Sequence, residues 1–163
     1  MIKKILIVVF LILVVIQFIR PEKNRSGNTD HNIATAYNVP ENVNKILQAS
    51  CADCHSNKTE YPWYAEVQPV GWWLSNHVTN GKRHLNLDNF TTMRIAFQKK
   101  RMEDCIEQLK QGDMPLGSYT LIHRYAILSN AQKDTLINWC QGIVDEIKAK
   151  YPPDSLVLPK RRR

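Results

Sequence analysis

Cysteine is scarce in this chain, and what is missing around it excludes two chemistries. There are 4 cysteines in 163 residues, at positions 51, 54, 105 and 140. A structural zinc site wants four ligands, usually as two close pairs. Cys105 and Cys140 stand apart, each on an apolar helix stripe, so no finger-like set forms. A thiol–disulfide C-x-x-C motif wants a βαβ context, and strand-type alternation of useful length is absent throughout. The same absence makes the fold class all-α. There is also no internal repeat.

Net charge is missing from the middle of the sequence. The chain carries +7, but residues 1–30 supply +3 of it, and Lys160 with Arg161, Arg162 and Arg163 supplies +4. Residues 31–158 balance near zero. The high isoelectric point therefore reports on the ends and excludes a basic nucleic-acid-binding domain. Residues 151–163 read as a solvated basic tail, with anionic headgroups or an acidic partner as the alternative.

An apolar run near the N-terminus lacks charge and small residues. Ile5 to Ile19 is apolar throughout except Gln17, between Lys3-Lys4 and Arg20-Pro21. As a helix, residues 2–19 would span about 27 Å, near the ~30 Å hydrocarbon thickness of a bilayer. No A-x-A-like site follows. Residues 1–20 are thus expected to form an uncleaved transmembrane signal anchor, with a cleaved signal peptide as the alternative. Basic residues flank both sides, so the positive-inside rule sets no orientation. Residues 21–39, with Ser26-Gly27-Asn28-Thr29 and no apolar period, read as a tether.

A domain is expected over residues 40–150. Pro40-Glu41 opens a helix carrying Val43, Ile46 and Leu47 straight into Cys51. A second helix over 70–79 ends at Asn80-Gly81. A third, capped by Asp88, carries Phe90, Met93, Phe97, Met102, Cys105, Ile106 and Leu109 and stops at Gly112. Residues 113–128 connect it to the last helix. Ser129 and Gln132 form a capping box there, and Leu136, Ile137, Cys140, Ile143, Val144 and Ile147 make its stripe. Pro152-Pro153 ends it.

What is present is Cys51-Ala52-Asp53-Cys54-His55. C-x-x-C-H is the attachment pattern of c-type haem. Two thiols at this spacing reach the two vinyl groups of one porphyrin, and the next histidine places an imidazole nitrogen on the iron. Cys51, Cys54 and His55 are therefore the candidate haem residues, for one covalent haem c. Met114-Pro115, in a loop beyond the third helix, offers a thioether for the opposite face, and histidine–methionine ligation raises the potential. His123 is the runner-up for that position. Met93 and Met102 read as core. His31, His77 and His84 read as solvated or structural. Trp63, Trp72, Trp73 and Trp139 read as walls of the haem pocket and core filling. Cys105 and Cys140 form either a disulfide or two buried thiols.

From residue 40 to 145 the chain resembles the bacterial haem-binding domain family of small c-type cytochrome-like proteins. The likeness rests on Cys51 to Asn57, Tyr61-Pro62-Trp63-Tyr64, and Pro69-Val70-Gly71-Trp72-Trp73-Leu74. It continues through His77-Val78, Gly81-Lys82-Arg83, Met114-Pro115, Tyr119, His123, Leu128-Ser129 and Leu136-Ile137-Asn138-Trp139. The resemblance implies covalent haem on Cys51 and Cys54 with His55 proximal, and it keeps His123 as a structural or ligating residue. Cys105 and Cys140 are outside the pattern.

The expectation is a cytochrome c-like, membrane-anchored mono-haem domain in the periplasm. It would exchange single electrons with redox partner proteins and act as a carrier rather than a catalyst. A peroxidase-like module or a redox or gas sensor with a displaceable sixth ligand is the alternative.

Overall fold

Among the described residues the chain forms seven α-helices: α1 (Ile2–Ile16), α2 (Glu41–Ser50), α3 (Ala52–His55), α4 (Val70–His84), α5 (Ile95–Gln111), α6 (Gly117–Thr120) and α7 (Asn130–Lys150). The structure is a computed structural model and describes residues 1–159. Lys160 to Arg163, the most basic part of the expected tail, lie outside the described residues. Among the described residues there is no strand, in keeping with the all-α expectation.

The core forms where α5 packs along α7. Helix α7 starts on the expected capping box. Ser129 Oγ accepts from the Gln132 N–H at 3.2 Å, and Gln132 Oε1 accepts from the Ser129 N–H at 2.9 Å. Two otherwise unpaired N–H groups are satisfied in this way. Leu136, Cys140, Ile143, Val144 and Ile147 then recur at helical spacing and are all buried. They meet Met102, Ile106 and Leu109 of α5. Helix α5 ends at Gly112 with φ +79°, a left-handed turn that glycine adopts without steric cost.

Phe90 is fully buried and meets Tyr37 edge-on at 5.9 Å. Truncating a buried phenylalanine removes its transfer energy and leaves a cavity. Phe90→Ala is expected to cost about 3–5 kcal/mol of unfolding free energy. Urea unfolding followed by far-ultraviolet dichroism measures it.

Several expected boundaries move. The tether is part of the folded domain: Ile33 and Tyr37 are buried, and Asn32 caps a short 3-10 turn at Ile33–Thr35. Residues 24–28 strap the loop after His55. Asn24 Nδ2 donates to the Ser56 carbonyl, the Thr59 N–H donates to the Asn24 carbonyl, and the Gly27 N–H donates to the Asn57 carbonyl. Order here comes from asparagine side chains and main-chain groups pairing with distant residues, which leaves no apolar period to read.

Helix α4 runs through Asn80-Gly81 to His84. The expected third helix is two elements, a 3-10 stretch at Leu87–Thr92 and then α5. Asn86, not Asp88, caps the first of these. Asp88 is buried and accepts from the Asn57 N–H at 2.7 Å and Asn32 Nδ2 at 2.6 Å. The connection at 113–128 contains α6 and a 3-10 turn at Arg124–Ala126, with Ala126 and Leu128 buried. A further 3-10 turn at Pro153–Leu156 packs Leu156 on the core, so the tail does not leave the domain at residue 151.

The N-terminal span is also shorter than expected. Helix α1 has 15 residues, a rise of about 22 Å. Among the described residues no helix is long and apolar enough to cross a membrane. The α-helix stops because Gln17 turns back: its Nε2 donates to the Leu13 and Gln68 carbonyls, and its Oε1 accepts from the Gln68 N–H. Phe18 and Ile19 continue the coil only through bonds to Val15 and Ile16. Residues 1–15 are exposed along their length.

Candidate functional site

Helix α2 delivers the motif. Its buried face, Val43, Ile46, Leu47 and Ser50, fixes the helix on the core, and Cys51 follows as its C-cap. The chain kinks there and α3 forms a single turn from Ala52 to His55. One turn puts Cys51 and Cys54 on neighbouring positions of the same face. Both are free thiols. Burial pushes Cys51 up to about 12, with Cys105 adding to the effect, and pushes Cys54 up to about 11, with Asp53 adding. Both sulfurs are therefore protonated at neutral pH.

His55 is oriented by helix α4's exit. Its Nδ1 lies 2.8 Å from the Leu85 carbonyl oxygen. A carbonyl only accepts, so Nδ1 carries the proton and Nε2 keeps its lone pair. Burial holds the imidazole pKa below its ordinary value, and the backbone acceptors Leu85 and Gly81 offset this in part. The ring is neutral at pH 7, the form that binds a metal, and a carbonyl on the second nitrogen is the usual orienting partner of a ligating histidine.

Gly81 lets α3 and α4 approach. A Cβ built there would meet the Cys54 carbonyl oxygen at 2.7 Å and the Cys54 Cβ at 3.1 Å. The sequence pattern marked Gly81 as a helix end; its actual place is a crossing point between two helices. Below the motif, Ser56 and Asn57 enter a polar knot. Asn57 Nδ2 donates to the Asn28 carbonyl and Asn89 Oδ1, and Asn86 Nδ2 donates to Asn57 Oδ1.

Asp53 connects the motif to the segment holding the other candidate ligands. The Tyr119 hydroxyl donates to Asp53 Oδ2 at 2.7 Å, which ties α6 to α3. Met114 is half-buried in the turn just before α6. Tyr119 stacks on His123 with ring centroids 4.4 Å apart. His123 Nε2 lies 2.9 Å from the Tyr64 hydroxyl, and Nδ1 lies 2.9 Å from the Tyr125 hydroxyl. Neither nitrogen is free to ligate in this arrangement. The bond from Tyr119 to Asp53 was not legible from spacing, although both residues sit in the recurring pattern.

The tryptophans divide. Trp139 packs on the core and donates to the Asn38 carbonyl, and Trp72 donates to the Ile19 carbonyl. Trp63 and Trp73 are exposed instead of filling the protein core, as are Leu121, Ile122 and Tyr125. Met102 is fully buried and Met93 packs against the core, as read from the stripes. His77 Nδ1 bonds the Trp73 carbonyl, and His31 and His84 are exposed.

The donor set fits haem better than a protein-caged metal. Among the described residues no three histidine, cysteine or acidic side chains converge on an ion, whereas a porphyrin needs only an axial nitrogen such as His55 Nε2. Arg101, one helical turn before Cys105 on α5, has a buried Nε without a hydrogen-bond partner. Its Nη1 donates to Asp104 Oδ2 at 3.2 Å.

An all-helical domain that presents two free thiols and a carbonyl-oriented histidine in C-x-x-C-H order is built to hold a haem. The haem-binding domain family matches this chain over residues 11–142, and the chain belongs to that family. The match begins well before residue 40 and so takes in the asparagine strap. A search of curated proteins and a search of solved structures find no match.

Proposed function

We propose that this chain is a cytochrome c-like domain, attached to the outer side of the inner membrane, that holds one haem covalently and passes single electrons. The observation that carries this reading is the His55–Leu85 bond beside two free thiols. Cys51 and Cys54 would form the thioethers, and His55 Nε2 would be the proximal ligand. Bound haem supplies an iron that alternates between the ferric and ferrous states. Met114 is favoured as the distal ligand, because Tyr119 pins its segment to the motif while His123 spends both nitrogens on tyrosines. The exposed Trp63, Leu121 and Ile122 would shield the ring from water.

Membrane attachment is supported by the exposed apolar side chains along α1 and by the basic residues Lys3 and Lys4 near its start and Arg20 beyond its end. The outer side follows from where thioether attachment takes place. No catalytic residue is needed, and the partners are redox proteins.

Haem staining after denaturing electrophoresis, on protein made with a cytochrome c maturation system, tests the covalent link. Low-spin spectra in both oxidation states, with a methionine–iron charge-transfer band and no carbon monoxide binding, are expected. A high-spin resting state would transfer the reading to a peroxidase-like or sensing site with an open sixth position. Met114→Ala is expected to abolish the charge-transfer band and admit carbon monoxide. An unchanged spectrum would reassign the distal ligand to His123.

A further inference from the structure

Gln17 interrupts the apolar N-terminal run, and the fold uses it as a joint. Its Nε2 donates to the Gln68 carbonyl at 3.1 Å, and the Gln68 N–H donates to its Oε1 at 2.9 Å. One side-chain amide thus closes on both main-chain groups of one residue. Gln68 is itself held. It is buried, and its Oε1 accepts from the Trp72 N–H at 3.0 Å. Gly71 packs so closely on it that an added Cβ would meet Gln68 Nε2 at 2.9 Å. Further bonds cross the joint. Trp72 Nε1 donates to the Ile19 carbonyl at 2.7 Å, and Glu66 pairs with both Arg20 and Lys23. The end of α1 is therefore fastened to the 3-10 turn at Trp63–Glu66 and to the first turn of α4.

The surface around this joint is apolar. Val67 and Val70 flank Gln68, and Trp73 lies one turn along α4 from Val70. All three are exposed. The Trp73 ring rests beside that of His77, with centroids 4.1 Å apart. Arg20, Lys23 and Arg25 outnumber Glu22 and Glu66 in the same segments. An exposed indole beside aliphatic side chains and surplus basic charge suits the zone between lipid tails and water.

We propose that Val67, Val70 and Trp73 form a collar that sits in the interfacial zone of the bilayer that takes α1, so that the domain rests on the membrane in one orientation. The collar rests on the reading of α1 as a membrane anchor. Helix α1 rises only about 22 Å, against a hydrocarbon layer of ~30 Å. A span of that length keeps its flanking residues at the interface. Gln68 is bonded to the residue that follows α1, so Val67 and Val70 lie close to the level at which α1 leaves the bilayer. A polar side chain at that depth needs its partners at hand, and Gln68 supplies them to Gln17. Helix α4 then acts as a spacer. It runs about 20 Å from Val70 to His84, with the collar at its start and the Leu85 carbonyl that orients His55 just past its end.

The test uses the full chain reconstituted in vesicles of phosphatidylcholine and phosphatidylglycerol. Photoreactive p-benzoylphenylalanine replaces Val70, Leu6 of α1, or the exposed Asp134 of α7, each in a separate preparation. Lipid adducts are mapped by mass spectrometry after illumination. They are expected at Leu6 and Val70 and not at Asp134. Gln17→Ala is expected to lower the Val70 adduct several-fold and leave the Leu6 adduct unchanged. Trp72→Phe removes only the bond to the Ile19 carbonyl; it is expected to act in the same direction, and it serves if Gln17→Ala does not fold. Adducts at Leu6 without adducts at Val70 would overturn the collar and leave the anchor standing. Adducts at neither would overturn the anchor reading and the collar with it. Crosslinking of Val70 to protein and not to lipid would overturn the collar, because that surface then takes a protein partner. Equal lipid adducts at Val70 and Asp134 would overturn the single orientation, and a Val70 adduct indifferent to both variants would overturn the joint.

Discussion

Replacing Cys51 and Cys54 together with alanine should leave a chain from which all haem is lost on denaturing electrophoresis. The two thiols are the only residues through which a thioether can form next to His55, and both sit on a single turn whose spacing matches two vinyl groups. With neither present, retention depends on His55 and packing alone, and denaturant removes both. Each single replacement should keep a stained band, because one thioether survives denaturation. His55→Ala separates the roles further, since its covalent link stays intact while the low-spin spectrum is lost. A stained band from the double variant would show that the attachment is elsewhere. Staining intensity per chain, measured against the unmodified protein, is the readout.

Gly81→Val should combine lost stability with poor haem loading. The new Cβ would lie 2.7 Å from the Cys54 carbonyl oxygen, which is backbone and has no rotamer to escape into. Either α3 or α4 must shift, and overpacking of this kind costs about 1–3 kcal/mol. The shift moves Cys54 relative to His55, whose ring is held from the same end of α4 through Leu85. Haem per chain should therefore fall by more than stability alone explains. Gly142→Ala on α7 is the contrasting case: nothing lies within 4 Å of its added Cβ. In a helix interior that change should stabilise by up to ~1 kcal/mol with haem content unchanged. Urea midpoints and the ratio of Soret to protein absorbance measure both variants. Equal effects at the two glycines would contradict the crossing-point role of Gly81.

Local chemistry was legible where a short pattern suffices. Ser129 with Gln132, the left-handed stop at Gly112, the α7 stripe and the Cys51-to-His55 run all depend on residues within one or two helical turns. Patterns of that range are written directly in the chain. The strap at 24–28 and the buried Asp88 were not legible. Their partners are asparagines, carbonyls and backbone N–H groups about thirty to sixty residues away, and a polar residue carries no mark of which distant group it will meet. Gly81 was read as a helix end because glycine often ends helices; its close approach to Cys54 exists only once α3 and α4 cross. The N-terminal span came out shorter for a related reason, since Gln17 found a partner in Gln68.

By itself, then, the sequence determined the helical class, the caps at Ser129 and Gly112, and the cysteine–cysteine–histidine order on which the haem reading rests. These follow from periodicity and covalent spacing, which need no knowledge of the rest of the molecule. Only the tertiary structure decided that Nε2 of His55 is the free nitrogen, that both His123 nitrogens are engaged, and that Cys105 and Cys140 share one cluster with Cys51. Those outcomes depend on which helix passes which, and α7 meets α2 and α5 only when the core closes.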